Sequence, residues 1–432
     1  DSVASRGLGD VYKRQIGGGF AGINLIKKID THLYDITLID QNNFHAFPPL
    51  FYQIASSGLE PAAICFPFRQ ELRKLKQVRF HMGNAKSVDT KEQTVTTDSG
   101  ILHYDYLIIA TGTTNNFFNI NNLQESVFTL KSTAEAIRVR NEVLNNLELA
   151  STCSDPELKK SLLCFAVVGG GPTGVEIAGA LGEMKKYILQ REYPELKKED
   201  VRVIIIEGTD KLLRTMSPIA SEKARTYLQQ LEVEIKLNKS LVSYDKEVLQ
   251  FNDGETLACR TVIWTAGVTG VLIDGLPKEV IGRGNRILTD EYNRIKGYDN
   301  IFALGDIALM ITEAYPSGHP QLAQVAIQQG RLLAKHLNNR KFDTPFIYND
   351  MGSMATIGRN RAVADFTHMH MYGRPAWFMW MFVHLISLLG MKNKIFVLLN
   401  WTWNYFTYNA SLRLLIRPTF YPIRKKWKEP IS

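Results

Sequence analysis

Two apolar strand-like runs, each followed by a glycine-rich turn and a helical segment, divide much of the chain into two similar units. The first starts at Ile16, passes through the turn GGGFAG and ends in a second strand over residues 34–40 (YDITLID). The second starts with the apolar run 162–168, passes through GGGPTG and ends in a second strand over residues 201–207 (VRVIIIE). Strand, turn and helix in this order indicate βαβ units of parallel sheets. The pattern therefore predicts an α/β fold with two Rossmann-type doubly wound domains.

Three further strand segments end in turns of small residues. They are residues 106–112 (YLIIATG), 262–267 (VIWTAG) and 301–306 (IFALGD). Their apolar character is that of buried parallel strands. The first of them lies between the two units and the second follows the second unit, so the chain carries a pseudo-repeat.

Beyond the helical segment 323–337 (AQVAIQQGRLLAKHL) the pattern changes. Residues 346–364 are strand-like and interrupted by glycine, and residues 376–389 (AWFMWMFVHLISLL) form an apolar run. That run is only about 14 residues long, whereas a helix needs about 20 to span a bilayer. We therefore predict that it lies on a membrane rather than crosses it.

At 432 residues the chain is long enough for two or three domains. Its N-terminus is atypical, because residues 11–16 (VYKRQI) are polar where a Rossmann domain opens on a continuous apolar strand, and we interpret residues 1–15 as foreign or mis-joined. We expect no signal peptide, since the pattern of one is missing there. The predicted division is an atypical N-terminus (1–15), the first part of one dinucleotide-binding domain (11–115), a second dinucleotide-binding domain (160–285), the second part of the first (286–345) and a C-terminal membrane-anchoring region (346–432).

Positive charge is concentrated near the C-terminus. The net charge is +8, and residues 366–428 hold nine Lys or Arg, no Asp or Glu, and five of the six Trp. Basic residues mixed with bulky aromatic ones favour a surface of anionic lipid over nucleic acid. An aromatic dimer interface is the alternative. The predicted headgroup and lipid contacts are Trp377, Trp380, Trp401, Trp403, Arg413, Arg417, Arg424, Lys425, Lys426 and Lys428.

The first unit has the spacing G-x-G-x-x-G at Gly17, Gly19 and Gly22, and Asp40 closes its second strand. Glycines at these positions let the backbone approach a pyrophosphate, and the helix N-terminus supplies N–H donors. A carboxylate at the strand end accepts bonds from ribose hydroxyls. A single such match also occurs as a structural turn, but its position between a strand and a helix favours a dinucleotide site.

The second unit repeats the spacing at Gly169, Gly171 and Gly174, and Glu207 ends its second strand. An acid at that place favours NADH, because it would repel the 2′-phosphate of NADPH and no Arg stands immediately beside it. Two such patterns in one chain, both in the correct context, imply two dinucleotides.

We call the two G-x-G-x-x-G patterns the first and the second fingerprint. With both fingerprints, the turns ATG and TAG, and the late Gly305-Asp306, the chain resembles the two-dinucleotide flavoproteins related to glutathione reductase. That resemblance implies FAD at the first fingerprint, NAD(P)H at the second, and a flavin contact for Asp306, whose alternative is a strand-end turn residue. The implied FAD contacts are Gly17, Gly19, Phe20, Ala21, Gly22, Asp40, Thr111, Gly112, Gly305 and Asp306. The implied NADH contacts are Gly169, Gly171, Gly174, Glu207, Ala266 and Gly267.

The cysteines exclude a thiol relay of the kind that disulfide reductases use. Cys65, Cys153, Cys164 and Cys259 form neither CxxC nor CxxxxC, so electrons must pass from the flavin to another acceptor. Three segments resemble the type II NADH:quinone oxidoreductases: residues 42–61, residues 323–328 (AQVAIQ) and residues 383–408, which include NWTWNYFTY. This resemblance extends from Ile16 to the end of the chain.

The resemblance implies an enzyme that transfers hydride from NADH to FAD and then two electrons to a membrane quinone, menaquinone or ubiquinone. With no spanning helix expected, we predict no proton pumping. We expect a homodimer on the cytoplasmic face of the cell membrane, attached from one side. A sulfide:quinone oxidoreductase is the nearest rival, although no Cys follows Cys259. A non-catalytic NADH-binding flavoprotein is the rival of another class.

Three residues are candidates for the catalytic site. Gln324 and Gln328 match the family's quinone-site pattern AQxAxQ and share one helix face, where two amides could bond a quinone carbonyl, although paired Gln also suit a solvated face. Glu176 stands where the family places a carboxylate near the nicotinamide and flavin, and its alternative is a first-turn acid that complements the helix dipole. His368 and His370 lack a third ligand, so we predict no metal site.

Overall fold

The computed structural model describes residues 11–407 and 413–415. The helices of this part are α1 (Phe20–Ile26), α2 (Phe51–Ala55), α3 (Phe68–Leu72), α4 (Leu123–Ser126), α5 (Thr133–Thr152), α6 (Pro156–Leu162), α7 (Pro172–Tyr187), α8 (Leu189–Glu192), α9 (Pro218–Gln230), α10 (Ala323–Asn339), α11 (Arg374–Ser387) and α12 (Met391–Thr407). Residues 1–10, Tyr408 and five predicted lipid contacts lie outside the described residues; those contacts are Arg417, Arg424, Lys425, Lys426 and Lys428.

The strands of the same part form several sheets. They are β1 (Tyr12–Ile16), β2 (Asp35–Asp40), β3 (Phe44–Ala46), β4 (Cys65–Pro67), β5 (Val78–Met82), β6 (Ala85–Asp89), β7 (Thr94–Thr97), β8 (Gly100–His103), β9 (Tyr106–Ile109), β10 (Thr113–Asn115), β11 (Phe128–Thr129), β12 (Cys164–Val168), β13 (Arg202–Ile206), β14 (Val233–Lys236), β15 (Leu241–Tyr244), β16 (Val248–Phe251), β17 (Thr256–Ala258), β18 (Thr261–Trp264), β19 (Val268–Gly270), β20 (Ile281–Gly282), β21 (Arg286–Thr289), β22 (Ile301–Ala303), β23 (Ala308–Met310), β24 (Ser353–Thr356), β25 (Ala362–Phe366) and β26 (Met369–Tyr372).

A parallel five-stranded sheet with the order β22-β9-β1-β2-β5 contains the first fingerprint at the end of β1. Its strands come from residues 12–109 and 301–303. In the sequence, these two ranges lie before and after the strands of the second parallel sheet. The strand order reverses beside β1, between β9 and β2. Ligands of open α/β sheets bind at such a switch point, outside the carboxyl ends of the strands.

The central strand β1 forms although its sequence, YKRQI, is polar. Lys13 and Gln15 are fully buried, and Arg14 donates to Thr37 Oγ1 at 2.9 Å. The Lys13 ammonium has no hydrogen-bond partner among the described residues and lies 5.9 Å from the ring centre of Tyr34. Parallel pairing with β2 and β9 on both sides supplies the backbone bonds that this stretch needs. The sequence pattern identified the stretch as a poor strand, and the consequence in the structure is a buried lysine whose pKa is lowered by burial.

The second parallel sheet has the order β11-β18-β12-β13-β14 and contains the second fingerprint at the end of β12. Every residue of β12 (CFAVV) is buried, as expected for a strand covered on both faces. Helix α5 packs near this sheet and begins with a capping box between Ser132 and Glu135. The two sheets confirm the predicted α/β class with two doubly wound units. The predicted domain limits stay predictions.

Some predicted element limits differ from those of the structure. The apolar run predicted from residue 162 becomes a strand only at Cys164, because Leu162 still belongs to α6. The prediction of strand structure over residues 346–364 is wrong for the first part of that range. There Phe346 and Tyr348 pack side chains around Val325 without pairing into a sheet, and strand β24 begins at Ser353.

The C-terminal region consists of the antiparallel sheet β24-β25-β26 followed by α11 and α12. Helix α11 covers most of the apolar run predicted to lie on a membrane. Among the described residues, no helix is both long and apolar enough to cross a bilayer. The two helices leave large apolar side chains exposed on their outer surface, namely Phe378, Phe382, Ile386, Met391, Ile395, Phe396, Leu398, Leu399, Trp403 and Phe406.

Two of the predicted headgroup contacts are wrong as stated, because their side chains point into the protein. Trp380 stacks on His384 with ring centres 4.1 Å apart, and Trp401 donates from its indole to Gln53 Oε1 at 2.8 Å. Trp377 is half-buried and Trp403 is exposed. The aromatic pattern predicted an amphipathic surface without showing which rings face inward. Of the predicted basic contacts, Arg413 pairs with Glu192.

Candidate active site

The first glycine fingerprint forms a cradle that side chains would block. Gly17 has φ +99°, and a Cβ there would lie 2.2 Å from Ala110 O. A Cβ on Gly22 would lie 2.1 Å from Gly17 O, so the helix approaches the turn too closely for a side chain. By contrast, no atom of the described residues beyond its chain neighbours would lie within 4 Å of a Cβ on Gly19, so this glycine faces open space. These are the tight turn, the close helix packing and the open backbone that a dinucleotide pyrophosphate requires.

Asp40 is held beside this cradle by backbone donors. Its carboxylate accepts from the N–H of Gly18 and from that of Asn42, each at 2.8 Å. Burial raises the pKa of Asp40, and these two hydrogen bonds oppose the rise. The side chain therefore links the glycine turn to the end of β2, which is where a ribose hydroxyl would meet it.

The second fingerprint repeats this geometry. Gly169 has φ +114°, and a Cβ there would lie 2.7 Å from the backbone of Thr265. A Cβ on Gly174 would lie 1.8 Å from Gly169 O, whereas Gly171 faces open space within 4 Å. Each glycine of the second fingerprint thus has the same surroundings as the corresponding glycine of the first. Both turns fit a dinucleotide.

Glu207 occupies the place in the second unit that Asp40 has in the first. Its Oε2 accepts from Gly170 N–H at 2.6 Å, and its Oε1 accepts from the backbone and the hydroxyl of Thr209, both at 2.9 Å. These bonds use both lone-pair sites of Oε1 and one of Oε2, so Oε2 can still accept from a ligand hydroxyl. The side chain is thereby fixed at the end of β13, next to the open Gly171.

The turns after β9 and β18 border these cradles. Thr111 Oγ1 donates to Val271 O at 2.7 Å, and Gly112 has φ +71°. Ala266 lies against Gly169, and the adjacent Gly267 lies under the ring of Phe118. The antiparallel pair β10-β19 connects the two turns, so the candidate FAD and NADH contacts are joined by backbone bonds.

The late motif Gly305-Asp306 lies beside the cradle of the first fingerprint. Gly305, with φ +71°, lies between α1 and α10, where a Cβ would be 3.1 Å from the methyl of Ala326 and 3.4 Å from that of Ala21. Ala21 therefore contacts the late motif, and its neighbour Phe20 packs edge-on against His45 at 5.5 Å. The structure brings the predicted FAD residues of both chain segments to one edge of the sheet.

Asp306 has two neighbours that the sequence did not single out. Lys131 Nζ donates to Thr113 Oγ1 at 3.2 Å, and that hydroxyl donates to Asp306 Oδ2 at 3.4 Å. Burial raises the pKa of Asp306, while the charge of Lys131 opposes the rise. Burial likewise lowers the pKa of Lys131. A lone Lys between two elements carries no motif, so only the fold could identify it.

Glu176 is buried in α7, with 7% of its surface exposed. Burial raises its pKa to about 8, and hydrogen bonding from the Thr356 backbone and the Trp380 indole opposes the rise. By strict geometry Trp380 Nε1 has no hydrogen-bond partner in the described part of the chain, so it faces the carboxyl without a full bond. A carboxyl with this pKa is protonated at neutral pH and can release its proton nearby.

Gln324 and Gln328 share a face of α10 and both bind the backbone of the segment after residue 348. Gln324 Nε2 donates to Gly352 O at 2.9 Å, and its Oε1 accepts from Met351 N–H at 3.0 Å. Gln328 pairs in the same way with Asn349, at 2.8 and 3.0 Å. Each amide keeps one N–H and one lone pair for another partner. These bonds tie α10 to the C-terminal region, and the predicted quinone contact stays a prediction.

The cysteines and His370 form no second reactive centre. All four cysteines are free, and Cys164 and Cys259 are buried. His370 bonds to Asp365 at 2.7 Å. Within residues 11–407 and 413–415, no three His, Cys, Asp or Glu side chains come together in a way that could hold a metal ion.

The chain matches two known sequence families. Residues 16–330 match the pyridine nucleotide-disulphide oxidoreductases, and residues 351–407 match the NDH2 C-terminal domain. It is 33% identical over 407 residues to the type II NADH:quinone oxidoreductase Ndh of Mycobacterium tuberculosis, covering 90% of this chain and 86% of that protein. It is 28% identical over 447 residues to the external NADH-ubiquinone oxidoreductase 2 of Saccharomyces cerevisiae mitochondria, covering 90% and 80%.

Solved structures share the fold. NDH2 of Plasmodium falciparum in complex with NADH superposes with a TM-score of 0.87 at 24% identity, covering 94% of this chain and 100% of that one. The sulfide:quinone oxidoreductase of Aquifex aeolicus gives 0.71 at 18% identity, covering 89% and 92%. The two family matches and the 33% identity decide the assignment. The chain belongs to the type II NADH:quinone oxidoreductases, FAD enzymes of the pyridine nucleotide-disulphide oxidoreductase family that pass electrons from NADH to quinone without pumping protons.

Proposed function

We propose that this enzyme holds FAD at the first fingerprint and NADH at the second. The observation that carries the proposal is the pair of equivalent glycine cradles, each with one open glycine and a carboxylate fixed beside it. Gly19 and Asp40 would bind the pyrophosphate and a ribose of FAD, and Gly305 and Asp306 would complete its site. When bound, FAD accepts a hydride from NADH and passes two electrons to quinone.

Glu207 would select NADH over NADPH. Its carboxylate is fixed by three hydrogen bonds from Gly170 and Thr209, so it cannot turn away from a ligand without losing them. A ribose 2′-hydroxyl can donate to such a carboxylate, whereas a 2′-phosphate would be repelled. Gly171, Ala266 and Gly267 would surround the rest of the dinucleotide.

Glu176 would hold the proton that quinone reduction consumes. Its buried carboxyl, with the pKa raised to about 8, stays protonated at neutral pH. A proton donor of this kind is most efficient when its pKa is near the working pH. Gln324 and Gln328 would orient a quinone carbonyl through the N–H that each amide has free beyond its backbone bonds.

The outer surface of α11 and α12 would contact a membrane that contains anionic lipid. Phe378, Phe382 and Ile386 recur at intervals of four residues on α11, so they share one helix face, and all three are more than half exposed. Apolar helix faces flanked by Lys and Arg bind lipid surfaces from one side. A lipophilic quinone could then reach the protein directly from the bilayer.

The proposed location is the cytoplasmic face of the cell membrane, and the proposed assembly is a homodimer. Four free cysteines suit a reducing compartment. A dimer would bury part of the exposed aromatic surface, as subunit interfaces do. Either menaquinone or ubiquinone fits this account.

A steady-state assay of the purified protein, reconstituted with FAD, tests the activity. NADH should be consumed only when a soluble quinone is present, and sulfide should not replace NADH as donor. Consumption of sulfide instead would favour the sulfide:quinone oxidoreductase alternative. Binding of NADH without consumption, in the presence of quinone, would favour a non-catalytic flavoprotein.

A further inference from the structure

Each turnover must take up one proton from water. Reduction of a quinone to a quinol consumes two electrons and two protons, whereas a hydride from NADH supplies two electrons and one proton. The balanced reaction is NADH + H⁺ + quinone → NAD⁺ + quinol. Glu176 is 7% exposed, so a proton that passes through it needs a route from solvent.

A cavity of about 140 Å³ lies between α2, α7 and the C-terminal helices. It is large enough for several water molecules and has polar groups to bind them. Two of its lining residues, Thr356 and Trp380, also face the carboxyl of Glu176. Its polar lining includes Tyr52, Glu183, Arg359 and Asn404.

Glu183 places a second, half-buried carboxyl at this cavity. It follows Glu176 by seven residues on α7, so the two side chains share one helix face about 10.5 Å apart along the axis. Its Oε1 accepts from Arg359 N–H at 2.7 Å. Burial raises the pKa of Glu183, while that N–H and the charges of Arg359 and Arg361 oppose the rise. The function proposed above gives this carboxyl no role.

Tyr52 lies near both carboxyls. Its hydroxyl accepts from Gln53 Nε2 at 2.8 Å, and Gln53 is fixed in turn by the Trp401 indole. Because a hydroxyl that accepts one bond directs its own proton elsewhere, Tyr52 can donate toward the cavity or toward Glu176. Burial raises the pKa of Tyr52, and ionisation of Glu176 or Glu183 raises it further, so the hydroxyl stays protonated.

We propose that Glu183 and Tyr52 carry the solvent proton across this cavity to Glu176. The proposal rests on the role given to Glu176 in the proposed function. A proton taken up by the carboxyl of Glu183 would move through cavity water to the Tyr52 hydroxyl, which would release its own proton to Glu176 in the same step. Both are relay residues and need not touch quinone.

Three other charged or titratable groups around the route do not offer a competing acid, and the hydroxyl of a fourth, Tyr405, donates to Asn360 Oδ1 at 3.4 Å. Arg359 and Arg361 carry guanidinium groups, and a guanidinium does not act as a proton donor to other groups in proteins. His384 stacks on Trp380, and burial lowers its pKa to about 4, so it is neutral at physiological pH. Its Nδ1 lies 2.7 Å from Trp380 O. The N–H of the neutral ring is therefore donated to a carbonyl within α11.

Two substitutions that remove the protons with little change in shape test the relay. Glu183→Gln and Tyr52→Phe would be compared with wild type and with Tyr244→Phe, a control that deletes a buried hydroxyl bonded to Cys259 O. Stopped-flow mixing would follow flavin reduction by NADH and its reoxidation by a soluble quinone separately, from pH 6 to 9, in H₂O and in D₂O.

In both relay variants, we expect reoxidation to slow by on the order of 10- to 100-fold, with a larger solvent isotope effect and a changed pH profile. Reduction by NADH should stay within about twofold of wild type, and Tyr244→Phe should change neither step. Small weak acids such as formic acid should restore part of the reoxidation rate in Glu183→Gln.

Wild-type rates, isotope effects and pH profiles of reoxidation in both variants would overturn the relay. Equal slowing of both half-reactions without a changed isotope effect would also overturn it, because that result indicates a structural role. Should Glu183→Gln fail to fold, Tyr52→Phe decides alone. A wild-type protein that is not reduced by NADH would instead refute the proposed function, so the two failures are distinguishable.

Discussion

The indole nitrogen of Trp380 faces the carboxyl of Glu176, which connects the C-terminal helix α11 to helix α7 of the second unit. The contact brings together a residue predicted to lie at the level of the lipid headgroups and a residue predicted to take part in catalysis. Because the buried ring excludes water from the carboxyl, the C-terminal region helps to set the protonation of Glu176.

The pH dependence of quinone reduction should report this contact. Glu176 has a pKa of about 8, so reoxidation by quinone should fall as pH rises through 8 and the carboxyl loses its proton. Glu176→Gln should slow this step about 100-fold and remove the inflection. Since the Trp380 indole lowers the pKa, Trp380→Phe should move the inflection to higher pH, and Trp377→Phe on the same helix should not. An inflection that persists in Glu176→Gln belongs to another group.

Replacing Glu207 should change the choice of cofactor. In Glu207→Gln the 2′-phosphate of NADPH no longer meets a negative charge, so the preference for NADH, measured as the ratio of kcat/KM values, should fall by about tenfold, equivalent to about 1.4 kcal/mol. Glu222→Gln, an exposed acid on α9, is the control. Unchanged discrimination in Glu207→Gln would refute the role assigned to this carboxylate.

Replacing Lys13 should stabilise the protein. Burial lowers the pKa of this unpartnered ammonium, so the unfolded chain binds more protons between the folded and unfolded pKa values, and stability rises with pH in that window. Lys13→Ile should raise the free energy of unfolding by about 1–4 kcal/mol and remove this pH dependence. Denaturant unfolding at several pH values measures both, with Lys91→Met on an exposed hairpin as control.

The same variant tests whether the polar β1 weakens cofactor binding. If the buried lysine frays the strand, Lys13→Ile should retain more flavin through gel filtration than wild type, because Gly17 directly follows β1. Equal retention would show that the polar strand does not limit FAD binding.

Membrane binding should depend on the outer faces of α11 and α12. Phe382→Ser together with Phe406→Ser should lower the partition of the protein onto vesicles containing anionic lipid by at least about tenfold, since each buried Phe contributes about 1.5–3 kcal/mol. Ile347→Ser removes an apolar side chain that is 81% exposed elsewhere and serves as control. Equal loss in the control, or no loss in the double variant, would place the membrane contact on another surface.

The fold could be predicted where local pattern and physics agree. Both fingerprints, the strands that carry them and the helix α10 follow from apolar runs and glycine spacing. The start of the strand near residue 346 could not be predicted, because Phe346 and Tyr348 pack around Val325 there instead of pairing with another strand.

The candidate site could be predicted only in part. Glu176 and Asp306 follow motifs, but Lys131, Glu183 and Tyr52 gain their surroundings from distant elements. The sequence also could not show that Trp380 and Trp401 point inward, because apolar rings suit lipid and core equally well. The bonds of Gln324 and Gln328 to the 349–352 backbone depend in the same way on tertiary contacts.

Anaerobic mixing of the FAD-loaded protein first with NADH and then with a soluble quinone shows whether electrons pass from NADH through the flavin to quinone. We expect NADH to bleach the visible flavin absorbance and quinone to restore it, because the two half-reactions are separate. Bleaching without recovery would contradict quinone as the acceptor. The absence of bleaching by NADH would contradict the assignment of the two cradles to FAD and NADH.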